Sequence, residues 1–247
     1  MDSKISAICI STLKNQNLSV LMESIRVYVP SDVDVYINYC GTLGNYYHNG
    51  RTILQSNYKA DTYGAAYNYV VRQAFKKHST ILVCNDDAVF TPTTYALLEQ
   101  DYNYLIHNHN RHGIGWIGCL TDYAIGAQNI RMDMRISGGE EQRMNEIKRE
   151  REYYVYTVNF IAPICGLITK QAWIDYLPIN SFSDTIQCIQ MQNKGLEHFV
   201  SRSYVHHVGS QSMQSYQKEH TDALEILRQS HPEEYLLLQE YLNSTTE

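Results

Sequence analysis

The chain has 247 residues and a formal net charge of −6, long enough for one large α/β domain or two small ones and without the basic excess that a nucleic-acid footprint needs. Its cysteines, at 9, 40, 84, 119, 165 and 188, lie mostly inside apolar runs with no CxxC pair, which points to free buried thiols in a reducing compartment. No apolar run approaches a membrane span and no cleavable leader is evident, so the sequence reads as a soluble, cytoplasmic protein without stable membrane insertion.

In chain order, residues 5–10 form an apolar strand ending at Ser11 and Thr12, and Leu18, Leu21, Ile25 and Val29 then recur at helical spacing before Pro30. A second strand over 33–38 completes a βαβ unit, so the sheet is parallel here and the crossover right-handed. Residues 41–50 read as loop, 52–55 as a short strand, and 61–77 as a helix with Gly64 in its first turn. The apolar run 79–85 stops abruptly in Asn85, Asp86 and Asp87. Ligands of open α/β sheets sit at the carboxyl ends of such strands. Two adjacent carboxylates there either share a cation with an anionic ligand or belong to a polar turn that caps the segment after Pro92.

A helix over 93–108 breaks into His107, His109 and His112 among loop-formers, a pattern that reads as a solvated turn rather than a metal site. Residues 114–120 form a strand, and the charged stretch 138–152 reads as a solvated helix or, given Gly138 and Gly139, as a lid. Alternation marks a strand over 153–160, an apolar run comes next at 162–168, and helices are expected at 170–176 and 181–194, the latter ended by Gly195. A last strand over 198–205 runs into His206 and His207, which on a strand face opposite sides. Two helices, 213–229 and 233–242, close the chain, the second with Pro232 at its start.

The order of these signals resembles the GT-A glycosyltransferases, in particular the family-2-like group that uses nucleotide-diphospho-sugars. It rests on the βαβ start, the helix carrying Gly64, Ala65, Ala66 and Asn68, the DxD-type turn at Asn85, Asp86 and Asp87, Asp184 opening a later helix, and His207, Gly209 and Ser212 as a His-x-Gly-x-x-Ser. The resemblance spans about 5–212 and implies an α/β fold: a mixed, mainly parallel sheet flanked by helices, with 213–247 as a C-terminal helical extension. Within 1–212 it implies a nucleotide-binding half, about 1–120, and an acceptor half, about 121–212.

By the same resemblance, the donor is a nucleotide-diphospho-sugar of UDP type and the acceptor a saccharide or other hydroxyl. Ser11, Thr12, Asn38, Tyr63, Gly64, Asn68, Asn85 and Asp86 hold the nucleotide-sugar, and Asp87 and His207, with the adjacent His206 as the competing ligand, hold Mn²⁺ or Mg²⁺. An oxygen and imidazole set favours Mn²⁺. Asp184 is the base of an inverting transfer or simply a good helix start, Gly166 lies on the acceptor side, and Trp173 either stacks on an acceptor sugar or belongs to the core. The chain departs from the family pattern at Asn85, where the family has an acid, at Ser183 for Glu, at Tyr67 for Arg, and near Asn38, where an acid is missing. These departures keep open a retaining transferase and a non-catalytic binding module of the same fold. A nucleotidyltransferase needs a Gly-rich, cationic phosphate loop after the first strand, which residues 11–15 do not supply.

Overall fold

A computed structural model describes residues 4–12, 17–39, 51–109, 113–122, 124, 127–130, 155–207 and 216–244. The loop expected at 41–50, the charged stretch 138–152 with its lid reading, His112, Gly209 and Ser212 lie outside them.

The chain opens as a βαβ unit of β1 (Ala7–Thr12), α1 (Leu18–Tyr28) and β2 (Asp34–Tyr39), followed by β3 (Ile53–Ser56), α2 (Tyr63–Ala74), β4 (Thr80–Asn85), β5 (Ala88–Phe90) and α3 (Thr94–Asn108). Then come β6 (Ile114–Thr121), β7 (Tyr156–Val158), β8 (Cys165–Thr169), α4 (Ser183–Asn193), β9 (Glu197–His207), α5 (Tyr216–Ser230) and α6 (Pro232–Ser244). The nine strands form one mixed, mostly parallel sheet in the order β3-β2-β1-β4-β8-β6-β9-β5, with β7 paired to β9. Strands β5, β7 and β8 run against the rest.

Alternation along each strand splits the core across the two faces of the sheet. Ile8, Ile10, Val35, Ile37 and Leu82 pack on one face with Leu21 and Ile25 of α1 and Leu98, Tyr102 and Leu105 of α3. Ala7, Cys9, Ile81 and Val83 pack on the other with Tyr67, Val70 and Val71 of α2 and Met191 of α4. Two buried charges fasten these layers. Arg51 donates to the carbonyls of Val33 and of Ile25 and Val29 at the end of α1 (3.1, 3.3 and 2.7 Å), where the helix dipole favours a cation. Asp101 of α3 accepts from the Ser201 hydroxyl, the Arg202 N–H and the Arg202 Nε of β9 at 2.6, 2.8 and 2.7 Å.

A third, smaller core joins Ile179 and Ile186 to Leu227 of α5 and Leu238 of α6. The C-terminal helices therefore back the segment that carries Asp184. The cysteines at 9, 84, 119, 165 and 188 are free and buried.

Three expectations need correction. Residues 170–176 are not helical: one turn, in which the N–H groups of Ala172 and Trp173 reach the Thr169 carbonyl, gives way to irregular chain. Side chains claim the backbone groups a helix would have used, Asn68 taking both those of Tyr176 and Gln187 the carbonyl of Ile174. The last strand continues through His206 and His207, because β5, too short for its pattern to be read, pairs with them. The reading of 153–160 as one strand shortens among the described residues to β7, paired with β9.

Candidate active site

The chain leaves β4 at Asn85, whose N–H donates to the Ile164 carbonyl at 2.8 Å, and turns through Asp86 and Asp87 into β5. Strand β5 lies antiparallel to the end of β9 with Ala88 opposite His207. That register delivers Asp87, the residue before Ala88, to the His207 ring: Nε2 lies 3.0 Å from Oδ1, with the side chains only 11% and 14% exposed.

Because the strand ends at Asn85, strand alternation does not extend through the turn. Instead, Asn85 Oδ1 lies 3.3 Å from the Tyr67 hydroxyl, and Asp86 accepts a hydrogen bond from the Thr12 hydroxyl at the end of β1. Burial raises the Asp86 carboxyl above the ordinary carboxylate value; the Thr12 hydrogen bond opposes this and the Asp87 charge adds to it.

Three tyrosines floor the site. Tyr67 is buried, and its hydroxyl lies 3.0 Å from the Cys84 carbonyl and 3.4 Å from that of Ser11, tying β4 to β1. Its ring lies 4.6 Å from Tyr63 and 6.4 Å, edge-on, from Tyr176. Burial lifts the Tyr63 phenol well above its usual value, and the charges of Asp184, Asp86 and Asp87 lift it further. Tyr63 is thus held neutral. Asp184 opens α4 with Oδ1 accepting the Thr185 N–H at 2.9 Å, and burial raises its own carboxyl.

Other expected ligand residues are committed to the fold. Asn38 is fully buried, donates to the Tyr58 carbonyl at 3.2 Å and accepts from Ser56 at 2.9 Å, joining β2 to β3. Asn68 pairs with both backbone groups of Tyr176. Gly64 does allow a close approach, but of protein backbone: a Cβ there would lie 1.9 Å from the Leu177 carbonyl oxygen, and its N–H donates to Ile179 O at 3.2 Å. Ser11 meets the site through its carbonyl. Gly166 lies mid-strand in the sheet, where a Cβ would press at 3.0 Å on Trp116, so it belongs to the core rather than a cleft wall. Trp173 joins the same aromatic core, 6.0 Å from Trp116 and 5.1 Å from Tyr176.

Asp122 went unread in the sequence. It is 2% exposed and follows β6, where its Oδ1 accepts the His207 N–H at 2.9 Å and its Oδ2 lies 2.8 Å from His206 Nδ1. Only the fold brings it there, since no local pattern links it to residues so far along the chain.

No family model matches the sequence, and no curated protein matches it. Solved structures do. S. aureus TarS 1-349 superposes with a TM-score of 0.56 at 12% identity, covering 97% of this chain and 71% of that one. The fold is that of the GT-A glycosyltransferases. The TarS complex with UDP-GlcNAc gives 0.55 at 12% identity over 97% and 72% of the two chains. Glucosyl-3-phosphoglycerate synthase from Mycobacterium tuberculosis, solved with Mn²⁺, UDP and glucosyl-3-phosphoglycerate, gives 0.53 at 10% identity over 91% and 79%. This chain covers 43% of the longer TarS structure. At such identities the likeness is one of fold. Among the described residues no helix is long and apolar enough to cross a membrane.

Proposed function

We propose that the chain is a glycosyltransferase that moves a hexosyl group from a UDP-sugar to an acceptor hydroxyl with inversion. The observation that carries this reading is the 3.0 Å contact of Asp87 with His207, beside Asp86 on Thr12.

Asp87 and His207 would hold a divalent ion. Among the described residues no group of three His, Cys, Asp or Glu could hold a metal alone. An oxygen and imidazole pair fits an ion whose remaining positions go to diphosphate oxygens and water, a set suited to Mn²⁺. When bound, such an ion neutralises the departing diphosphate as a Lewis acid.

The chain's own residues do the rest. Asp86, fixed by Thr12, faces the donor. The Asp184 carboxylate takes the acceptor proton as that oxygen attacks the anomeric carbon, and its raised affinity for protons suits the task.

Calorimetry of UDP with and without Mn²⁺ tests the reading. Mn²⁺ is expected to tighten UDP at least tenfold in the wild type and not in Asp87→Ala. Equal affinities with and without metal in both proteins sink it. Metal-dependent UDP binding with no hydrolysis or transfer across a panel of UDP-sugars identifies a binding module instead.

A further inference from the structure

The parallel ladder between β6 and β9 stops at Thr121 opposite Val205, two residues short of the end of β9. On its far side β9 is held by β5, with Val89 opposite His206 and Ala88 opposite His207. On the near side, among the described residues, β6 has no backbone pairing left for His206 and His207. Asp122 fills that gap with its side chain. One carboxylate oxygen takes the His207 N–H at 2.9 Å and the other meets His206 Nδ1 at 2.8 Å, continuing the ladder by one side-chain rung.

We propose that Asp122 is a positioning residue of the site, acting through His207. Fixing the His207 backbone from both sides fixes the Cα from which the imidazole reaches Asp87, its Nε2 lying 3.0 Å from Oδ1. Placing a carboxylate here is costly, since at 2% exposure it loses nearly all its water and must be compensated by the groups it meets. The arrangement matters where a ligand's direction must be held to a fraction of an ångström, as supporting residues do for metal-binding histidines. The inference rests on the reading of Asp87 and His207 as ligands, although the packing of the His207 ring is measurable without any metal.

The test uses this 247-residue chain and three variants: Asp122→Ala, Asp122→Asn, which keeps an acceptor for the His207 N–H, and Asp101→Asn as a buried carboxylate remote from the site. In metal-free protein at fixed pH, the His207 side-chain nitrogen signals, assigned by their loss in His207→Gln, are expected to move in Asp122→Ala and to return toward wild type in Asp122→Asn. With UDP present, Mn²⁺ affinity is expected to fall at least tenfold in Asp122→Ala and less than threefold in Asp122→Asn. Asp101→Asn lowers Tm with both readouts unchanged. Unmoved His207 signals in both Asp122 variants overturn the proposal, as does Mn²⁺ affinity within threefold of wild type in Asp122→Ala. If Asp122→Ala does not fold, Asp122→Asn and Asp122→Ser decide it: Ser cannot span both partners and must show the shift that Asn spares. Displaced His207 signals in a protein whose wild type binds no Mn²⁺ uphold the positioning role and refute the metal reading.

Discussion

The side-chain amide of Asn68 holds both backbone groups of Tyr176, donating to the carbonyl at 2.8 Å and accepting the N–H at 2.8 Å. This joint locks α2 to the stretch leading into α4, 108 residues later in the chain. Each backbone group stranded by Asn68→Ala costs roughly 1–3 kcal/mol, so with two of them the variant is expected to lose about 2–6 kcal/mol in urea unfolding. A loss below about 0.5 kcal/mol would mean that water replaces the amide without penalty, reopening a ligand-binding role for Asn68.

Asp184→Asn separates chemistry from binding. The amide keeps an acceptor for the Thr185 N–H but takes no proton from an acceptor hydroxyl. UDP affinity in the presence of Mn²⁺ is expected to stay within threefold, while transfer falls roughly 10²- to 10⁴-fold. Transfer within a few-fold of wild type would put the base elsewhere.

Asp86 should make stability fall with pH. Burial raises its carboxyl in the folded state, so the native protein binds the proton more tightly than the unfolded chain does. The resulting stabilisation is complete below the unfolded value near pH ~3.9 and is lost as pH rises through the raised folded value. Asp86→Asn removes the term. Its Tm, followed by scanning fluorimetry in metal-free buffer, should gain on that of the wild type from pH 4 to 7, while affinity for the UDP-sugar falls. A pH-independent gap between the two proteins would show that the Thr12 hydrogen bond cancels the effect of burial.

The third core links the C-terminal helices to the segment that carries Asp184. Leu227 is fully buried against Ile179 and Ile186, on either side of Asp184. Leu227→Ala is expected to cost about 2–4 kcal/mol. At a temperature where both proteins are folded, kcat should drop more than UDP affinity does. Parallel losses in the two would show that this core supports the whole domain evenly.

The fold was legible where apolar runs met polar ends: the βαβ start, the strand ending at Asn85, and the helix opened by Asp184 all lie within two residues of their expected places. The sequence was less informative about which polar residues face a ligand. Asn38, Gly64 and Asn68 are residue types that suit a nucleotide, yet here they satisfy or accommodate backbone, and composition cannot tell the two uses apart. Asp122 had no local signature, since its partners lie 85 residues away and are joined to it only by the sheet. The helix expected at 170–176 failed because Asn68 and Gln187, both distant in sequence, take its backbone groups.

Strand β8 runs between β4 and β6 and is the join, in the described sheet, between the β3-β2-β1-β4 block and the β6-β9-β5 block. It enters the sheet late, pairing Thr80 with Thr169 and Cys84 with Cys165. During synthesis at roughly 5–20 residues per second, β4 waits about 4–17 s for that partner. For this interval the apolar edge of 80–84 has β1 on one side and no native neighbour on the other. Bare edges of this kind are templates for pairing with other chains. The strand that ends in the acidic turn is therefore also a stretch open to mispairing while the protein is being made.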